Sequence, residues 1–129
     1  MPRTTQFTLS LVSRPGVLAA LTHTLADAGV NITALCAGDA AGRGKIRVLV
    51  NNPARAKRAL RRAKYRFAEE PAFAVRLRNK PGALARVTAK LARARVNIRS
   101  AYATTTGRAG ATVVFTVGNA AKARRALGG

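Results

Sequence analysis

The chain contains one segment twice, and this duplication restricts its fold more than any other feature. The segment SRPGVLAALTHTLADAGVNI at positions 13–32 aligns with NKPGALARVTAKLARARVNI at positions 79–98, at an offset of 66 residues. After a single inserted residue, Asn52 still aligns with Asn119. Because only two copies are present, the sequence predicts a duplicated domain rather than a solenoid, with units at 1–70 and 71–129.

Hydrophobic periodicity predicts the elements inside each copy. Phe7, Leu9 and Leu11 alternate with polar residues, which is typical of a strand with one buried face. The Pro-Gly that follows is expected to start a helix with apolar residues on one face, at Leu18, Leu21, Leu25 and Ala28. The first copy then continues with a strand from Val30, a turn at 39–44, a strand at Ile46–Val50, a helix from Pro53 and a short strand near Tyr65–Ala68.

The second copy repeats this order and then the chain stops. Its predicted elements are a strand at 73–78, a helix at 82–94, strands at 96–103 and 111–117, and a helix at 120–127. The sequence therefore predicts an α+β fold of two tandem ferredoxin-like βαββαβ units, with helices on one face of antiparallel sheets. The second unit lacks its last strand, so a second chain that covers the open sheet edge in a homodimer is expected.

The charge is strongly basic. Lysine and arginine total 24 against four acids, giving a formal net charge of +20. Two explanations stay open: an arginine-rich compositional bias on solvated faces, or a polyanionic partner attracted by the field. The densest cluster contains Arg55, Lys57, Arg58, Arg61, Arg62, Lys64 and Arg66. Only Tyr65 and Phe67 lie nearby to stack bases, so this cluster indicates non-specific nucleic-acid binding at most.

The sequence gives little support for catalysis or cofactor binding. His23 is the only histidine and falls on a helix, Cys36 lies among small apolar residues, and Glu69 with Glu70 reads as a solvated pair. No cluster has metal-ligand spacing, so we expect a non-enzymatic protein with no metal and no cofactor. One cysteine forms no internal disulfide, and neither a membrane span nor a signal peptide is evident, which favours a cytoplasmic protein.

A small-molecule site is the best-supported binding feature. The start of each first helix offers free backbone N–H groups for a carboxylate, and asparagine supplies donors and an acceptor for a zwitterion. The candidate residues are Ser13, Arg14, Gly16 and Asn31 in the first copy and Asn79, Lys80, Pro81, Gly82 and Asn97 in the second. The alternative is that Ser13 and Asn79 only cap their helices.

Both turn–Pro-Gly–helix–VNI segments resemble the ACT domain family, whose members are small regulatory modules that bind amino acids. The resemblance extends from about Gln6 to Leu127, and the chain is most similar to stand-alone proteins that consist of two ACT units. It implies a free amino acid bound where two ACT units meet, with the turn supplied by one unit and the second strand by the other. Asn79 and Asn97 match the polar pair of the amino-acid-binding members, whereas Ser13 departs from it.

Three functions follow from these observations. The first is a regulatory protein that binds an amino acid and signals to a metabolic enzyme partner. The second is a basic nucleic-acid-binding module on an ACT scaffold. The third is a regulatory subunit of a metabolic enzyme that has no ligand of its own.

Overall fold

The structure, a computed structural model, describes residues 3–105 and 110–128. The chain divides into two compact units: Thr5–Glu70, and a unit that begins at Pro71 and also includes Arg3 and Thr4. The described part of the chain forms six strands and four helices, and its strand pairs are antiparallel, as the sequence predicted. None of these helices has the length and apolar character needed to cross a membrane.

The first unit follows the predicted order of strand, helix, strand, strand and helix. Its elements are β1 (Arg3–Val12), α1 (Val17–Asp27), β2 (Ile32–Ala40), β3 (Arg43–Val50) and α2 (Pro53–Arg62). Strand β3 lies between β2 and β1, and Val48 is paired with both Leu35 and Phe7. Asn52 begins α2 because its side-chain oxygen accepts a hydrogen bond from the Arg55 N–H at 3.1 Å.

The second unit repeats this arrangement. Its elements are β4 (Ala68–Leu77), α3 (Ala83–Arg93), β5 (Ile98–Thr105), β6 (Ala111–Val117) and α4 (Ala120–Ala126). Strand β6 lies between β5 and β4, and Phe115 is paired with both Ala101 and Phe73. The side chain of Asn119 caps α4 through the Lys122 N–H, as Asn52 caps α2. Among the described residues, no strand follows α4.

Each unit has its own hydrophobic core between the helices and one face of the sheet. In the first unit, Phe7 and Leu9 of β1 pack with residues of both helices, including Leu21, Leu25 and Leu60. The second core repeats this arrangement with Phe73, Val75, Val87, Leu91 and Ala123. Burial of each large side chain stabilises the fold by about 1.5–3 kcal/mol, so these alternating positions determine which face the helices cover.

The turn predicted at 39–44 is shorter than expected, because Asp39 and Ala40 continue β2 and β3 begins at Arg43. Two further details differ from the sequence prediction. In place of separate strands near Tyr65–Ala68 and at 73–78, one continuous strand, β4, runs from Ala68 to Leu77. No glycine interrupts this segment, and the fixed φ of Pro71 is compatible with extended backbone. The other difference concerns Leu18 and its counterpart Leu84, which were predicted on the buried helix face but are 39% and 45% exposed. Both lie in the first turn of their helix, beyond the edge of the core.

Candidate functional site

Two neighbouring cavities lie at the turn between β1 and α1. The turn cavity, of about 430 Å³, is lined by Leu11, Val12, Arg14, Pro15, Gly16, Val17, Ala20 and Tyr65. The hairpin cavity, of about 240 Å³, is lined by Leu11, Val12, Ser13, Arg14, Val17, Leu18, Ala37, Gly38, Asp39, Gly44 and Ile46. The structure thus brings three predicted site residues, Ser13, Arg14 and Gly16, to the walls of these cavities.

The backbone of this turn exposes hydrogen-bond donors. Gly16 is the N-cap of α1 with φ of 90°, a left-handed conformation that favours glycine, and no side chain caps the helix. The Ala20 N–H bonds to the Gly16 carbonyl at 2.9 Å, but the N–H groups of Leu18 and Ala19 have no acceptor among the described residues. Gly82 begins α3 in the same way, with φ of 88° and no side-chain cap. The Ser13 side chain therefore does not cap α1, whereas the alternative that Asn79 caps α3 stays a prediction.

The hairpin between β2 and β3 supplies an acidic group that the sequence analysis missed. The Ser13 N–H donates to the Gly42 carbonyl at 2.9 Å, which fixes the hairpin against the turn. Asp39, paired with Gly44 in the ladder, thereby lies in the same cavity wall as Arg14. Neither side chain forms an ion pair or hydrogen bond within the described residues. The hairpin cavity therefore combines one cation and one anion with a mainly aliphatic wall.

Asn31 lies at the other end of α1. It lines a separate cavity of about 330 Å³ with Thr22, His23, Ala26, Val30 and Ile32. A helix of 11 residues separates it from the Ser13 turn, which corresponds to about 16 Å of helix length. In the second unit, α3 separates the exposed residues Asn79, Lys80, Pro81 and Gly82 from the exposed Asn97 in the same way. One unit alone therefore does not bring the turn and the asparagine together.

The basic cluster lies on α2 and the residues that follow it. Arg55, Arg58, Arg61 and Arg62 are exposed on the helix, and Lys64 and Arg66 are exposed after it. Lys57 differs because it is half-buried and its Nζ lies 3.0 Å from Glu69 Oε2. The seven predicted cations thus comprise six that face solvent and one that forms an ion pair.

The histidine, the cysteine and two of the acids, which the sequence analysis considered for catalysis, lie apart from the two cavities at the turn. His23 is exposed on α1, and Cys36 is a free, half-buried cysteine on β2. Glu69 and Glu70 are not a free solvated pair, since Glu69 binds Lys57 and Glu70 accepts a hydrogen bond from Thr8 Oγ1 at 3.2 Å. Within residues 3–105 and 110–128, no group of three or more histidine, cysteine or acidic side chains is arranged to hold a metal ion.

Each unit is thus a small α+β domain in which the first helix begins at a left-handed glycine, and in the first unit two cavities adjoin this helix start. The model of the ACT domain family matches residues 73–128, which is nearly all of the second unit. This match covers 56 of the 129 residues, and the first unit repeats the pattern of the matched residues at the offset of 66. The predicted ACT resemblance is confirmed. Among curated proteins, none matches the sequence of this chain.

Solved structures share the fold over nearly the whole chain. Protein BT0572 from Bacteroides thetaiotaomicron is 29% identical, with a TM-score of 0.89 over 97% of this chain and 86% of its own. The ligand-free regulatory subunit of aspartate kinase from Thermus thermophilus is 18% identical, with a TM-score of 0.69 over 98% of this chain and 95% of its own. The regulatory subunit from Thermus flavus is 16% identical, with a TM-score of 0.66 over 97% and 90%. The predicted α+β fold is thus confirmed.

Proposed function

We propose that this chain is a non-enzymatic regulatory protein that binds a free amino acid with an aliphatic side chain in the hairpin cavity. The observation that carries the proposal is the composition of that cavity. Arg14 and Asp39 offer the two charges that complement a carboxylate and an ammonium group. Val12, Val17, Leu18 and Ile46 offer a wall for a small apolar side chain.

The helix start adds a second contact for the carboxylate. The unpaired N–H groups of Leu18 and Ala19 lie at the positive end of the α1 dipole, which favours a negative charge. The hairpin cavity is smaller than the roughly 300–1,000 Å³ typical of drug-sized ligands, so a small metabolite is the better match. The ACT family assignment of residues 73–128 and the fold shared with two regulatory subunits support a regulatory role.

The asparagines belong to a further part of this proposal. Because α1 separates Asn31 from the turn, a site that uses both needs a turn from another ACT unit, and a second copy of the chain in a homodimer would supply it. Asn97 and Asn79 would act in the same way for the second unit. Ligand binding would then change how copies associate, and a cytoplasmic enzyme partner would respond to that change.

The test is a thermal melt with each of the twenty amino acids at moderate salt, followed by calorimetry on any amino acid that raises the midpoint. A ligand at 100 times its Kd stabilises the folded state by about 2.7 kcal/mol. We expect leucine, isoleucine, valine or methionine to raise the midpoint. Asp39→Asn and Arg14→Gln should each weaken binding about 10- to 150-fold, because each removes a charged hydrogen bond.

Matched controls change the same charge elsewhere. Asp27→Asn removes an exposed acid at the end of α1, and Arg3→Gln removes an exposed cation at the start of β1. Both should leave the affinity unchanged. A flat panel of amino acids, or equal binding by Asp39→Asn and the parent chain, would contradict the proposed site. Asn31→Ala and Asn97→Ala test the asparagine contribution, and unchanged affinity in both would remove asparagine from the site.

A further inference from the structure

Helix α2 presents a continuous cationic face to solvent. Its apolar stripe faces inward, where Ala56 and Leu60 are fully buried in the core of the first unit. Every exposed side chain longer than alanine between positions 55 and 66 is an arginine or a lysine. We call this set the α2 basic surface: Arg55, Arg58, Arg61, Arg62, Lys64 and Arg66.

The charges of this surface are not neutralised by the fold. Among the described residues the only ion pair is Lys57 with Glu69, and Lys57 lies outside the surface. Arg58 is three and four residues before Arg61 and Arg62, so these side chains are neighbours on the helix and repel one another. Acidic side chains at any of these spacings would stabilise the helix instead. The surface therefore has a charge pattern that packing and helix stability do not require.

The spacing of the cations suits a polyphosphate. Helix α2 has 10 residues and is about 15 Å long, a length over which a nucleic-acid duplex carries about nine phosphate charges. Four of the six cations are arginines on the helix, and the planar guanidinium forms paired hydrogen bonds with phosphate oxygens. An extended row of phosphates matches this surface better than a single small anion does.

The same surface lacks the aromatic rings that bind single-stranded nucleic acids and the apolar residues that bind a membrane surface. Tyr65 and Phe67 are half-buried, and the Phe67 ring packs edge-on against Phe7 with centroids 5.4 Å apart, so neither of these two aromatic rings is fully exposed for bases to stack on. A membrane-surface helix needs outward apolar residues to enter the bilayer. The exposed large apolar residues, Val12, Leu18, Leu35 and Leu84, all lie on other elements.

We infer that the α2 basic surface binds the phosphate backbone of a nucleic-acid duplex without reading its sequence. The inference does not depend on the amino-acid site. Counterion release then governs the affinity: six phosphate contacts give a slope of log K against log salt of about −5. The affinity falls about 10³-fold between roughly 50 and 200 mM salt.

The experiment measures fluorescence anisotropy of a labelled mixed-sequence DNA duplex with the full chain over this salt range. One variant combines Arg58→Gln, Arg61→Gln, Arg62→Gln and Lys64→Gln, and should make the slope about 3.6 units less steep. Its control combines Arg76→Gln, Arg86→Gln, Arg99→Gln and Arg124→Gln, four exposed cations from four different elements with the same total charge change. The control should retain most of the slope.

Several outcomes would overturn the inference. An equal loss of salt slope in the variant and its control would show that duplex binding depends on the net charge of the whole chain rather than on the α2 basic surface. Tighter binding to phosphatidylserine vesicles than to the duplex would assign the surface to membranes, and a strong preference for one base sequence would contradict backbone binding. Should the fourfold variant fail to fold in a thermal melt, Arg58→Gln with Arg61→Gln replaces it, with an expected loss of about 1.8 units of slope.

Discussion

The two units share their buried positions and differ at their surfaces. Phe7 and Phe73, Leu25 and Leu91, and the asparagine caps of α2 and α4 occupy equivalent places in the two copies. All four acids of the chain, however, lie in the first copy, and the second contains none. The comparison indicates that packing keeps the repeat recognisable. The combination of a cation at Arg14 with an acid at Asp39 occurs in the first unit alone, because the equivalent positions in the second copy are Lys80 and Thr105.

The largest expected difference between the copies is in the free energy of unfolding that is lost when one of two equivalent glycines is replaced by alanine. Gly44 and Gly110 are 66 residues apart; Gly44 is the second residue of the central strand β3, and Gly110 directly precedes the central strand β6. A Cβ on Gly110, where φ is 106°, would lie 2.6 Å from the Leu77 carbonyl oxygen. A Cβ on Gly44 would lie 3.5 Å from the Leu11 carbonyl oxygen, which is an ordinary contact.

Gly110→Ala should therefore lower the free energy of unfolding by about 3 kcal/mol, since it adds a backbone clash to a left-handed strain. Gly44→Ala should change it by less than about 1 kcal/mol. Urea denaturation of both variants measures the difference. Equal losses at the two positions would mean that the backbone at Gly44 and the backbone at Gly110 have the same conformation.

The ends of the first helices provide a smaller contrast. Gly29 after α1 and Arg95 after α3 both adopt the left-handed conformation, with φ of 73° and 59°. Glycine adopts this conformation without strain, but a residue with a Cβ is destabilised by about 1–2 kcal/mol. Arg95→Gly should therefore raise the free energy of unfolding by about 0.5–1 kcal/mol after the greater chain entropy of glycine is subtracted.

The reciprocal change completes this test. Gly29→Arg should lower the free energy of unfolding by about 1–2 kcal/mol in the same urea experiment. The Arg55 side chain, 3.3 Å from a Cβ at this position, has to move slightly to accommodate it. Destabilisation by Arg95→Gly would show that the arginine side chain makes a stabilising contact that outweighs its backbone strain.

The smallest expected effect belongs to the ion pair between Lys57 and Glu69, for which the acid-free second copy has no equivalent. Both side chains are more than a third exposed, at 34% and 40%, so solvent screens the interaction. A double-mutant cycle with Lys57→Gln and Glu69→Gln should give a coupling free energy below about 1 kcal/mol that decreases as salt is added. A coupling that does not change with salt would indicate a more buried pair than the structure has.

Sequence patterns predicted the parts of the molecule that local chemistry determines. Alternation in β1 and the apolar spacing of α1 act over a few residues, and the structure has both the strand and the helix, with Leu21 and Leu25 buried as predicted. The repeat also aligns Arg95 with Gly29, although the left-handed conformation of both residues emerged only from the structure.

The cavity could not be predicted because its residues come from distant segments. Asp39 reaches the wall beside Arg14 because β1 pairs with β3 as far as Val12 and the Ser13 N–H donates to the Gly42 carbonyl. The sequence assigned positions 39–44 to a turn and gave the acid no role. An acid at a hairpin tip in a chain with 24 basic residues and four acids was the available signal. Its significance depends on a three-dimensional contact that no repeat or spacing shows.

The position of Tyr65 has a consequence for regulation. This side chain lines the turn cavity, and its two neighbours in the chain, Lys64 and Arg66, belong to the α2 basic surface. The Tyr65 N–H also closes the end of α2 through the Leu60 carbonyl at 2.9 Å. The turn cavity shares Leu11, Val12, Arg14 and Val17 with the hairpin cavity. A ligand that extends from the hairpin cavity into the turn cavity and a duplex on the α2 basic surface would therefore contact one short segment. By reciprocity, the factor by which one changes the affinity of the other must be the same in both directions.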